Sequence, residues 1–131
     1  MKNVAVKENH LFNKAYSKGK RFSGRLLRIY VLKDLKAKRV MLANPEKKYI
    51  NRIGISVSKK NGTAVVRNRI KRIIREGYRA IKDENVLLTG YLIIIAAKNE
   101  AADAKSYDVE RELRYGFRKL EMFRKDGSSE G

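Results

Sequence analysis

The chain is 131 residues long with an apolar fraction of 43%, which fits one domain around a single core. Its 32 Lys and Arg against 14 acids give a formal charge of +18, a balance that recruits polyanions and exceeds what solubility needs. The absence of cysteine and the presence of a single histidine, His10, exclude disulfides, thiol redox chemistry, Cys-ligated zinc and histidine clusters.

The charge is unevenly spread. Residues 98–131 hold eight basic and eight acidic side chains, so the first 97 residues carry the whole excess and a uniformly basic coat is excluded. No apolar run approaches the roughly 20 residues of a bilayer span, and the N-terminus lacks the pattern of a secretory signal. A cytoplasmic protein that no segment anchors in a membrane is expected, and a polyanion there means RNA, DNA or an anionic membrane face.

In chain order, residues 1–5 carry no capping or periodic signal and are expected to be flexible; the folded domain is expected over 6–123. A first helix runs from Glu8 or Asn9 to Lys18, with Leu11, Phe12, Ala15 and Tyr16 at helical spacing and Gly19 suited to a left-handed residue past its end. After the connection "KGKRFSG", the stretch "RLLRIYVL" alternates as a strand, burying Leu27, Ile29 and Val31 and turning Arg28 and Tyr30 the other way. Residues 33–49, with the Asn44-Pro45 turn signal, read as a hairpin or loop excursion. "YINRIGISVS" is a second strand, with Ile53, Ile55 and Val57 on one side and Gly54, Ser56 and Ser58 on the other.

"KKNGTA" is then a turn pivoting on Asn61-Gly62, leading into a helix from Val65 or Val66 to Lys82. "LLTGYLIIIAAK" is a strand buried on both faces. A last helix is expected from Ser106 or Asp108 to Phe123, with Val109, Leu113, Phe117 and Leu120 on its apolar stripe, followed by a polar, disordered tail at 124–131. This order argues a single mixed domain of the α+β type, with a mixed sheet of about four strands backed by helices.

The helix ending at Lys82 carries the functional signal. Val66, Ile70, Ile73, Ile74, Gly77 and Ile81 fall on one arc, and Asn68, Lys71, Arg72, Arg75, Arg79 and Lys82 on the opposite one. Between Lys59 and Lys82 there are nine basic residues and one acid, Glu76. A solvated face mixes signs, because like charges four residues apart destabilise a helix by a few tenths of a kcal/mol. Lys71/Arg75 and Arg75/Arg79 are such pairs. Arg67 and Arg69 sit near a helix N-terminus, where the dipole and unpaired N–H groups already favour an anion, and Asn68 between them can bond a ribose or base edge. Phosphate groups are the partner that offsets this repulsion.

"GISVSKKNGTAVVRNRIKRIIRE" closely resembles the signature of the bacterial ribonuclease P protein family, in which a Gly-containing strand and a Ser-Lys-Lys turn lead into an Arg-Asn-Arg helix. "LFNKAYSKGKRFSGRLLRIYVL" is similar to that family's first helix and strand, with Phe12, Tyr16, Gly19, Phe22, Arg25 and Tyr30 at the expected places. The resemblance implies a two-layer α/β sandwich with a left-handed βαβ crossover, contrary to the usual right-handed rule. It also implies an accessory role in removing the 5′ leader of precursor tRNA, an endonuclease reaction whose catalyst is an RNA subunit using Mg2+ bound by that RNA. The partners implied are the ribonuclease P RNA and precursor tRNA, with no protein partner. By position, Arg67, Asn68, Arg69, Lys71, Arg72 and Arg75 face the catalytic RNA, while Phe12, Tyr16, Tyr30, Lys59, Lys60, Arg25 and Arg28 belong to the leader-binding cleft.

The residues themselves support such a cleft, since aromatic rings beside cations suit single-stranded RNA, although aromatics at i and i+4 on a helix ordinarily pack in a core. No catalytic residue and no metal site is expected on the protein: acids are scarce before residue 98, and "DVERELR" reads as i,i+4 pairing. His10 reads as a surface histidine. Two rivals remain at this level, a ribosomal or RNA-chaperone protein and a DNA-binding regulator. The second is disfavoured because the helix offers long cations and, beyond Asn68, few short polar base readers.

Overall fold

The computed structural model describes residues 4–5, 9–34, 51–84 and 86–124. Along the chain these form β1 (Val4–Ala5), α1 (Asn9–Lys18), β2 (Lys20–Ser23), β3 (Leu27–Lys33), β4 (Arg52–Ser56), α2 (Ala64–Lys82), β5 (Tyr91–Ala97) and α3 (Ser106–Lys119), with short 3-10 turns at Lys59–Asn61 and Asn99–Asp103. The expectation for 33–49 and the expected tail lie largely outside the described residues.

The strands make one mixed sheet in the order β1-β4-β5-β3-β2. β4 and β5 are parallel neighbours joined through α2, the βαβ unit that the sequence resemblance implies, while β5/β3 and β3/β2 are antiparallel. The sheet has the expected mixed character, and Val4–Ala5, in a stretch expected to be flexible, adds a short fifth strand parallel to β4. β2 is a correction as well. "KRFS", a connection by its sequence pattern, is an edge strand whose side chains are mostly exposed, with only Phe22 packed inward, so it carries no alternation to detect.

The sheet separates two apolar clusters of unequal size. On one face Leu27, Ile29, Val31, Ile93 and Ile95 meet Ile70, Ile73, Ile74 and Ile81 of α2 and Val109, Leu113 and Phe117 of α3, all buried. On the other, Ala15 of α1 packs on Leu92 and Ile94, with Phe12, Tyr16, Tyr30 and Leu32 around them. β5, central and flanked on both sides, supplies alternate residues to both clusters, as its unbroken apolar run requires.

Local chemistry fixes the helix ends. Thr63 caps α2, its hydroxyl accepting the Val66 N–H at 3.3 Å, so the helix starts slightly before the expected Val65. Gly19 donates its N–H to Ala15 O at 2.9 Å, but positive φ among the described glycines belongs to Gly62 and Gly90. Gly19 serves a steric need instead: a Cβ there would stand 2.7 Å from Ala15 O and 2.9 Å from Val31 O, where α1 meets the sheet.

α3 stops at Lys119, four residues before the expected Phe123. Glu121 adopts φ 59°, Met122 N–H reaches back to Phe117 O (2.8 Å) and Glu121 N–H to Arg118 O (3.1 Å). This is the Schellman arrangement with glutamate at the left-handed position usually held by glycine. It buries Met122 and brings Phe123 into a β-bridge with Leu87.

Candidate nucleic-acid interface

The ridge on α2 is built as its sequence pattern requires. Ile70, Ile73, Ile74, Gly77, Tyr78 and Ile81 are buried, while Asn68, Arg72, Arg75 and Arg79 are exposed. Among the described residues the ion pairs engage Lys20, Arg52, Lys82 and Arg114, and none involves Arg72 or Arg75. Two guanidinium groups one helical turn apart, both outside every ion pair among the described residues, leave a strong positive field at the surface.

The remaining cations of the motif divide. Arg67 folds back, its Nε donating to Gly62 O at 3.3 Å beside the helix start. Arg69, expected to face RNA, is turned inward: Nη1 donates to Ala102 O at 2.7 Å and Nη2 to Ala104 O at 2.5 Å. It thereby ties α2 to the 3-10 turn at Asn99–Asp103. The same turn is held from the other side by Asn61, buried, whose Nδ2 donates to Asn99 Oδ1 at 2.9 Å and whose Oδ1 accepts the Ser58 N–H at 2.8 Å. Asn61 thus shapes the segment that displays Lys59 and Lys60, both exposed.

On the opposite side of the sheet, α1 and the strands bound a cleft of about 570 Å³ whose lining includes Phe12, Asn13, Tyr16, Ser56 and Lys71. Phe12 and Tyr16 have ring centroids 6.4 Å apart, and Tyr16 meets Tyr30 edge-on at 4.8 Å, so three aromatics from a helix and a strand form one ladder. Gly54 provides the room, since a Cβ there would lie 2.8 Å from Phe12 Cζ and 2.7 Å from Ile94 Cδ1. Arg28 alternates with the buried residues of β3 and shares the Tyr30 side.

Further placements differ from expectation: of the expected cleft residues, Tyr30, Lys59, Lys60 and Arg28 are not in its lining, Tyr30 meeting it through Tyr16. Lys71, assigned to the RNA-facing ridge, also lines the cleft, so the cation ridge runs into it. Arg25 does not join the cleft; it lines a separate depression against α3. Asn13 and Ser56 were missed, and only their positions beside Phe12 and after Gly54 could have suggested them. The side chain of His10 lies outside the described residues.

An α+β domain with an uncompensated guanidinium ridge leading into an aromatic cleft is an RNA-binding subunit by class. Comparison with known proteins specifies it further. The family model for Ribonuclease P matches residues 1–121. The chain is 39% identical over 113 residues to the ribonuclease P protein component of Clostridium botulinum, covering 86% of this chain and 90% of that protein. It is 40% identical over 119 residues to the counterpart in Clostridium acetobutylicum, covering 91% and 90%. The solved RNase P protein of Staphylococcus aureus superposes with a TM-score of 0.71 at 32% identity, covering 93% of this chain and 99% of that one. The chain belongs to the ribonuclease P protein family. Its partner is accordingly the ribonuclease P RNA, and its setting is tRNA processing.

Proposed function

We propose that this protein binds the catalytic RNA of ribonuclease P through α2 and holds the 5′ leader of precursor tRNA in the cleft between α1 and the sheet, assisting endonucleolytic removal of the leader. The observation that carries the proposal is the pair Arg72 and Arg75, exposed and outside every ion pair among the described residues. Phosphates are the ligand that turns this repulsion into affinity, with counterion release adding to it. In the cleft, bases of an unpaired leader stack on Phe12, Tyr16 and Tyr30 while Lys71, Lys59, Lys60 and Arg28 follow its backbone.

Bond cleavage is assigned to the RNA subunit with its Mg2+. The protein's own contribution in this reading is binding and alignment. We assign the protein to the cytoplasm on the ground that its RNA partners act there.

The test compares precursor with mature tRNA. Tyr16→Ala and Tyr30→Ala should each weaken binding of precursor tRNA by roughly tenfold, for stacking worth ~1–3 kcal/mol per base, and leave mature tRNA unaffected. Equal losses for both substrates would remove the leader from the cleft. A protein that binds structured RNA generally, such as a ribosomal protein, would show no dependence on leader length.

A further inference from the structure

The neutral charge of residues 98–131 conceals a second basic surface. On α3, Arg114 bonds both Glu110 (Nε–Oε2, 3.0 Å) and Glu84 (Nη1–Oε1, 2.9 Å). Glu112 turns to the sheet, where its carboxylate accepts the backbone N–H groups of Arg25 (3.1 Å), Leu26 (2.8 Å) and Leu27 (2.7 Å). Asp108 accepts the Lys105 N–H at the helix start, at 3.0 Å. Three acids of the helix are therefore occupied by backbone amides or by one arginine, and Arg111 and Lys119 are left exposed with no ion pair among the described residues.

Those cations border a groove of about 700 Å³ between the β2–β3 turn and α3, lined by Arg21, Phe22, Arg25, Arg111, Tyr115 and Lys119, with Asp108 and Glu112 also in its wall. Tyr115 remains 49% exposed although Phe22 meets it edge-on at 5.7 Å and Lys119 Nζ stands 5.4 Å from its centroid. A half-exposed ring that already carries one cation over it, in a groove lined by three more, offers the stacking surface and charge that an unpaired base and its flanking phosphates require. The groove lies across the sheet from the leader cleft, on the face that α3 shares with α2.

We propose that this groove is a second RNA site, seating an unpaired segment of the catalytic RNA with one base on Tyr115 and phosphates on Arg21, Arg25, Arg111 and Lys119. The inference rests on the proposed function, because α3 shares one face of the sheet with α2, and that shared face is what selects the catalytic RNA over the leader.

Binding of the bare catalytic RNA is measured across a salt series for the parent, Tyr115→Ala, Tyr115→Phe and the double variant Arg111→Ala/Lys119→Ala, with melting temperatures alongside. Tyr115→Ala should bind roughly tenfold more weakly and Tyr115→Phe like the parent, since the stacking surface is the ring. The double variant should lower the slope of log affinity against log salt by about 1.5, as expected for two lost phosphate contacts. Unchanged binding by all variants, while an Arg72→Ala/Arg75→Ala protein still loses affinity, would overturn the groove and leave the function standing. A loss confined to precursor tRNA with a long leader would also overturn it, by naming a different occupant. Failure of the parent itself to bind catalytic RNA would instead refute the proposed function.

Discussion

Helices α2 and α3 lie side by side on one face of the sheet and are both strongly amphipathic, yet they treat charge in opposite ways. α3 has acids and uses them internally, on Arg114, on the amides at 25–27 and on its own first turn. α2 has a single acid, Glu76, which is exposed and in no ion pair among the described residues. Acidic charge on α3 serves the fold. Basic charge on α2, apart from the inward-turned Arg69, opposes its own helix, and the RNA partner of the proposed function would offset it.

Removing the unpaired guanidinium groups of α2 should have the largest effect. Arg72→Ala/Arg75→Ala should weaken binding of the catalytic RNA by roughly tenfold to a hundredfold, as two charge-assisted contacts imply, and leave thermal stability unchanged. A double variant that unfolded well below the parent would show these residues to be structural and would break the contrast between the helices.

Arg69→Ala sharpens the contrast within α2. It strips a charged donor from Ala102 O and Ala104 O, so denaturant unfolding should reveal a loss of about 1–3 kcal/mol. If stability is unchanged and only the salt dependence of RNA binding falls, Arg69 serves RNA after all.

Smaller effects are expected on α3. Glutamate at φ 59° is strained relative to glycine, so Glu121→Gly should raise stability by about 0.5–1 kcal/mol; its contact with Lys20, 4.0 Å between exposed groups, contributes little against this. A lower melting temperature would mean that the turn is held by the side chain.

The smallest effect concerns Glu84. The hydrogen bond from Arg114 holds its carboxyl below the usual carboxylate range, so its contribution is present above that range and disappears as pH falls through the lowered value. Glu84→Gln should melt slightly below the parent near neutrality, and the two curves should merge in acid. A difference that persisted in strong acid would assign the effect to packing.

The legible parts of the fold were those where a periodic pattern and burial coincide. The alternation of β3, the continuous apolar run of β5 and the two-sided pattern of α2 each encode their own surroundings. β2 was hidden because an edge strand packed through Phe22 alone does not alternate. The end of α3 was hidden because its left-handed residue is Glu121, whereas sequence rules look for glycine or asparagine. In the candidate site, charge and residue type identified the ridge and the aromatic ladder, but not direction. Nothing near Arg69 announces that its partners are carbonyls 33 and 35 residues away, and nothing near Arg25 says that the chain turns it toward α3. Such facts arise from tertiary packing, which a local pattern does not record.

β5 gives Leu92 and Ile94 to the floor beneath α1 and Ile93 and Ile95 to the layer beneath α2 and α3. One length of backbone is thus the common wall of the two layers that the proposed function assigns to different ribonucleotides. The molecule cannot be cut into a half for each, and any shift of that wall would reach both surfaces at once.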